Sequence, residues 1–377
     1  MTQEFSRSTL APSQSFWRGS AVFATGAAFL GGALLFTSAP AGRSVLQRGE
    51  RVMNSAARYM PYAAGMVTNL PRASKASVAA PRLAVSASSA GAALPTAAAP
   101  PPARRHASVW DRPMAEVWAG RNAWTPAVEA DYSRFVTAIG EGLATRRCHR
   151  LDDCLLNASV NPLHAPGDVR LGLHPDCADL AYTLRAYFAF KRDLPFGWVR
   201  AMGGDGGDPR YLMYGTPVAW SQWTRFATPR EVFDEIPNHV HSGMFRLSVK
   251  VEEGDTYAAR IDRAAVRPGT NFYDTNGHVL VVVAVHDDGD VEFIDGHPDG
   301  SLTHKHMTRT YIAGTARWGG GFRNWRPLRV ESGVVTRARN AEIADHDPRT
   351  QYNSAGYVVH GVRVRYDEWV RDRLASR

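Results

Sequence analysis

Two stretches of apolar residues organise the chain, one spaced as a helix and one unbroken as a buried strand. Within 178–191, Leu180, Leu184, Tyr187, Phe188 and Phe190 recur at helical spacing, which predicts a largely buried helix. Pro175 cannot continue that helix backwards and Asp176 is a favoured N-cap, so Cys177 falls in the first turn. Residues 279–285, VLVVVAV, are apolar on both faces, the pattern of a central strand covered on each side. HDDGD then supplies a hairpin turn at Asp288-Gly289, and a second strand, Val291-Glu292-Phe293-Ile294-Asp295, runs into Gly296-His297-Pro298. Farther on, 332–355 reads as a polar loop, Tyr357 to Val364 as a strand and Asp367 to Leu374 as a short terminal helix.

The N-terminal part is different. Ala21 to Phe36 is apolar apart from small residues and Thr25, with Arg7 and Arg18 ahead of it. That is shorter than the roughly 20 residues of a comfortable membrane span, and it suits the apolar region of a secretory signal or a tilted anchor. From Ala73 to Ala103, 13 of 31 residues are alanine and most of the rest serine and proline. Such a segment buries too little apolar surface to offset its ordering entropy and reads as a tether. The expected organisation is therefore a signal peptide or membrane anchor over 1–42, an Ala/Pro/Ser-rich linker over 43–106, and a folded domain over 107–377.

Charge follows the same division. Residues 1–106 carry 11 Lys and Arg against two acids, Glu4 and Glu50, while the remaining 271 residues carry 33 against 34. The whole net charge of +8 thus lies in the tail. A folded face for nucleic acid would carry its own basic patch, so no nucleic-acid partner is expected, and membrane contact is expected through the N-terminal segment alone.

Three cysteines remain to be placed. Cys148 and Cys154 stand six apart in RRCHRLDDCLL, a spacing that allows a short disulfide in an oxidising compartment; the alternative is three reduced, buried thiols. Neither the Cys nor the His spacing matches a ligand cluster, so no metal and no cofactor is expected.

Cys177 carries the candidate chemistry. At a helix start, unpaired amide N–H groups and the positive dipole end favour a thiolate, the nucleophilic form; the competing reading is a packed core cysteine. A base candidate, His278, stands at the mouth of the strand 279–285, straight after Asn276-Gly277. A two-residue turn at Asp288-Gly289 sets Val282 opposite Asp295 and Leu280 opposite His297, on the face that carries His278. Asp295 is then four residues along the ladder from the imidazole, on the order of 13 Å, and His297 lies closer in register. Either is a candidate for the group that orients the ring, the third role of a catalytic triad.

DCADLAYTLRAYFAFKRDLPF resembles the nucleophile helix of NlpC-type and CHAP-type cell-wall peptidases, of the papain-like cysteine peptidase superfamily. AVRPGTNFYDTNGHVLVVVAV resembles their Pro-Gly turn and Gly-His-Val strand, and VEFIDGHP the following strand with its polar third residue. The resemblance implies a papain-like α+β fold, with a nucleophile helix packed on an antiparallel sheet and long loop insertions. It implies Cys177 as nucleophile, His278 as base and Asp295 as the orienting group, acting on a peptidoglycan peptide or another amide. The sequence departs from the pattern in carrying Ala178-Asp179 after the cysteine and in the 101 positions between Cys177 and His278, which imply an insertion at about 197–262. Transglutaminase-like proteins, which share the order Cys, His, Asp, are the nearest alternative.

Other motifs stay secondary. The glycines of AMGGDGGDPRY lack a following Lys-Ser/Thr and do not read as a phosphate loop. Trp220, Trp223 and Phe226 fit a core better than a sugar platform, and Arg317, Arg323 and Arg326 are candidates to meet substrate carboxylates. The expected activity is an exported cysteine hydrolase of amide bonds, against a catalytically silent envelope binding module or a transglutaminase-like acyl transferase. Nothing in the sequence specifies an oligomeric state.

Overall fold

The computed structural model describes residues 108–204, 208–211 and 214–376. The expected signal or anchor over 1–42, the linker over 43–106 and the centre of the Gly-rich loop, 205–207, lie outside the described residues. In chain order the elements are α1 (Met114–Val117), α2 (Pro126–Ala144), α3 (Leu151–Leu156), α4 (Cys177–Lys191), β1 (Gly197–Gly203), β2 (Thr216–Gln222), α5 (Pro229–His239), β3 (Thr256–Ala258), β4 (Asn271–Asp274), β5 (His278–Val285), β6 (Val291–Gly296), β7 (Leu302–His306), β8 (Gly321–Trp325), β9 (Leu328–Glu331), β10 (Val334–Arg337), β11 (Tyr357–Val359), β12 (Val362–Val364) and α6 (Tyr366–Leu374). The fold is α+β, built on a six-stranded antiparallel sheet in the order β3-β8-β4-β5-β6-β7.

The alternation of side chains across β5 divides the core. Val279, Val281 and Val283 join Ile294 and the helices α2 and α4 on one face, through Phe135, Ile139, Leu180 and Leu184. Leu280 and Val282 join Phe272, Phe293 and Phe322 on the other, under Tyr366, Val370 and Leu374 of α6. The strand is covered on both sides, as its unbroken apolar run requires. Helix α4 is buried from Ala178 to Phe190. Each large apolar side chain there contributes about 1.5–3 kcal/mol of burial, far more than its helical propensity.

The region expected as an insertion, 197–262, is more than loops. It contains the hairpin β1–β2 and helix α5, whose Val232, Phe233 and Ile236 enter the α4 side of the core, and its last strand, β3, pairs with β8 at the sheet edge. Trp223 is buried in that core. The segment expected as one strand from Tyr357 to Val364 folds back at His360-Gly361 into the hairpin β11–β12. The expected polar loop 332–355 includes β10, which pairs with β9, and two single 3-10 turns. Cys148 and Cys154 form a disulfide, both ends buried, and Cys177 is the free cysteine. Among the described residues no helix is long and apolar enough to cross a membrane.

Candidate active site

Helix α4 begins as the sequence anticipates. Asp176 is the N-cap, and its Oδ1 accepts from the amides of Ala178 (2.9 Å) and Asp179 (3.1 Å). Cys177 is therefore the first helical residue. The helix start is seated against the end of β6 because Gly296 has no side chain: a Cβ there would stand 2.5 Å from the Pro175 carbonyl oxygen and 2.7 Å from that of Asp176. The Val279 amide, next in the chain to His278, is near enough to Cys177 to favour its thiolate.

His278 is the first residue of β5, and its Nε2 donates to Oδ2 of Asp295 at 2.6 Å. Asp295 reaches it through a register that the sequence alone misplaces. The His286 amide bonds to the Asp290 carbonyl across a three-residue loop, with Gly289 at φ +82°, where a two-residue turn was expected. A bulge between Val282 and Ala284 then shifts the ladder once more, so Val282 faces Phe293. Each irregularity advances Asp295 by one residue. Two such steps leave it on the face that carries His278 and bring it about 6–7 Å nearer than the plain hairpin would.

Asp295 is fully buried and holds four polar neighbours. Besides His278, Oδ2 accepts from Lys305 Nζ at 2.5 Å, and Oδ1 accepts from the hydroxyl of Thr303, its partner across β6–β7. Burial pushes the Asp295 carboxyl up, but the bonds from His278, Lys305 and Thr303 outweigh it and hold the carboxyl below the usual range. The acid is therefore an ionised acceptor for Nε2–H, an arrangement that in the neutral ring leaves Nδ1 with the lone pair a base needs. His297 does not take the orienting position. Its Nε2 donates to Thr303 Oγ1 at 3.0 Å and lies 3.7 Å from Asp295 Oδ1, so it buttresses the acid through the threonine.

The thiol departs from expectation. Burial pushes Cys177 up to about 12, with the charges of Asp176 and Asp179 adding to the effect and the Val279 and Ala178 amides opposing it. The amides of Ala178 and Asp179, which the sequence offers to an incoming oxyanion or to the thiolate, are engaged by the N-cap carboxylate. The resting cysteine is a protonated thiol. No hydrogen bond joins its sulfur to the His278 ring among the described residues.

Several neighbours carry no sequence signal. Asp274 is buried opposite His278 on β4. A 3-10 turn, Pro209–Tyr211, crosses the mouth of the site: Tyr211 Oη donates to the Asn276 carbonyl (2.9 Å) and Tyr273 Oη to that of Arg210 (2.8 Å). The Arg210 guanidinium, bonded to Asp208, lies within electrostatic reach of Cys177. Lys305 and Thr303, from an edge strand reading LTHKH, were not anticipated either. The arginines proposed for substrate are elsewhere: Arg323 and Arg326 are buried on backbone carbonyls, and Arg317 covers the Tyr214 ring at 4.7 Å.

No protein-family model matches this chain, and neither a curated protein nor a solved structure does.

Proposed function

We propose that this protein is an exported cysteine hydrolase of papain-like type that cleaves amide bonds in peptidoglycan peptides. The observation that carries the reading is the His278–Asp295 bond of 2.6 Å at the mouth of β5, with Cys177 opening the helix whose start is seated against the end of β6. As substrate enters, the S–H proton of Cys177 passes to Nδ1 of His278 and the sulfur bonds to the amide carbonyl carbon. Asp295, bonded at Nε2, holds the ring in the tautomer that can accept. Collapse of the adduct breaks the C–N bond, the imidazolium gives its proton to the leaving amine, and water releases the acyl group. The buried disulfide supports an oxidising compartment, and the basic, apolar N-terminus supports delivery to the envelope.

Incubating the full-length chain with purified peptidoglycan and mapping new peptide termini by mass spectrometry tests the proposal. New termini are expected with the native chain and none with Cys177→Ala or His278→Ala; adding a primary amine and finding its conjugates would identify acyl transfer of the transglutaminase kind instead. The raised thiol favours a second reading, a silent module that binds wall peptide in the same cleft. Binding to peptidoglycan with no new termini would establish it.

A further inference from the structure

His278 is not the only hydrogen-bond donor that Asp295 serves. Lys305 Nζ bonds the same oxygen, Oδ2, at 2.5 Å, while His278 Nε2 lies at 2.6 Å. The two nitrogens are therefore roughly 4–5 Å apart, within the range where like charges on ring and ammonium act directly on each other. Lys305 stands on β7 opposite Phe293, with Thr303 opposite Asp295, so β7 supplies both groups that hold the carboxylate from the side away from the ring. Its side chain is about one-third exposed against none for Asp295, so the ammonium keeps part of its hydration.

We propose that Lys305 is a positioning residue of the Cys177 site: it clamps Asp295 in line with His278 and, by sharing the oxygen, limits how readily the ring takes up a proton. With the ring neutral, the carboxylate and ammonium balance. Protonation of the ring leaves two cations on one anion, so the imidazolium is held less firmly than in a simple His–Asp pair and passes its proton on to the leaving amine more easily. The other charged or titratable groups about the ring are Asp274 across on β4, His297 beyond β6, and Cys177 with Asp176 at the start of α4. Arg210 stands past the cysteine, and Tyr311 feels both Asp295 and Asp274. Lys305 differs from all of them in sharing the bonded oxygen itself.

The catalytic meaning of this clamp rests on the hydrolase reading, but its electrostatics do not, and the experiment separates the two. Histidine-selective NMR of the full-length chain would follow the His278 ring signal through a pH titration, with the signal assigned by its loss in His278→Gln. Lys305→Met should move the midpoint upward by about one pH unit, and Lys305→Arg, which keeps the charge, should leave it in place. An unmoved midpoint in Lys305→Met, or an equal shift in Lys305→Arg, would overturn the proposal. If the shift appears while His278→Ala releases the same peptidoglycan termini as the native chain, the shared carboxylate stands and the hydrolase reading alone fails.

Discussion

Replacing Asp176 by asparagine removes one negative charge from beside Cys177 without removing the helix cap, since asparagine caps as well as aspartate. The thiol is pushed from 9.0 to about 12, first by burial and then by the Asp176 charge. At pH 7 that leaves about one thiolate in 10⁵ molecules, where an unperturbed thiol would give about one in 10². A unit charge on the adjacent residue, in a medium between protein surface and water, shifts the equilibrium by about tenfold. Asp176→Asn should therefore alkylate about ten times faster, and still far more slowly than an exposed cysteine because burial persists. The assay is iodoacetamide at about pH 8–10 on the unreduced full-length chain, read by intact mass; with Cys148 and Cys154 bonded, Cys177 is the thiol that reports. Equal rates for the two proteins, or a native rate that levels off near pH 8.5, would refute the assignment of the shift to burial and the cap charge.

Other consequences follow from the same contacts. Gly296→Ala should unseat the start of α4 and cost about 1–3 kcal/mol in urea unfolding, because its Cβ would stand 2.5 Å from the Pro175 oxygen. Asp295 is held below the usual carboxyl range, so it stabilises the fold above about pH 4 and loses that contribution as pH falls through its folded value. The stability gap between the native chain and Asp295→Asn should accordingly narrow as urea midpoints are taken from about pH 6 to pH 2. Opening the short Cys148–Cys154 loop in a double serine variant should cost about 2 kcal/mol of chain-entropy stabilisation, measured by the same unfolding.

The parts of the fold that rest on period and punctuation were legible in the sequence. Asp176 ahead of an apolar helix gave the position of Cys177, and VLVVVAV between Asn276-Gly277 and HDDGD gave β5 with His278 at its mouth. What the pattern could not reveal was the exact partnering of strands. Val283 is as apolar as its neighbours, so nothing in its identity marks the bulge beside it. Asp287-Asp288-Gly289 closes three residues with the same side chains that would serve a two-residue turn. Those two irregularities decide that Asp295, and not His297, meets the imidazole. Lys305 and Thr303 carry no sequence signal, because a short polar edge strand has no apolar alternation to announce it. The raised thiol has no sequence signal: burial, and then the Asp176 charge that engages the amides of the helix start, outweigh the dipole that favours a thiolate.

The proposal that Cys177 and His278 act on one bond is tested most directly by trapping the acyl intermediate. Full-length protein mixed with soluble peptidoglycan peptides, quenched in acid within the first turnover and mapped by mass spectrometry, should carry a peptidyl thioester on Cys177. The adduct should be absent from Cys177→Ser and should fail to form in His278→Ala. Amide cleavage with no thioester at any time, or an adduct that forms equally well without the imidazole, would contradict the account.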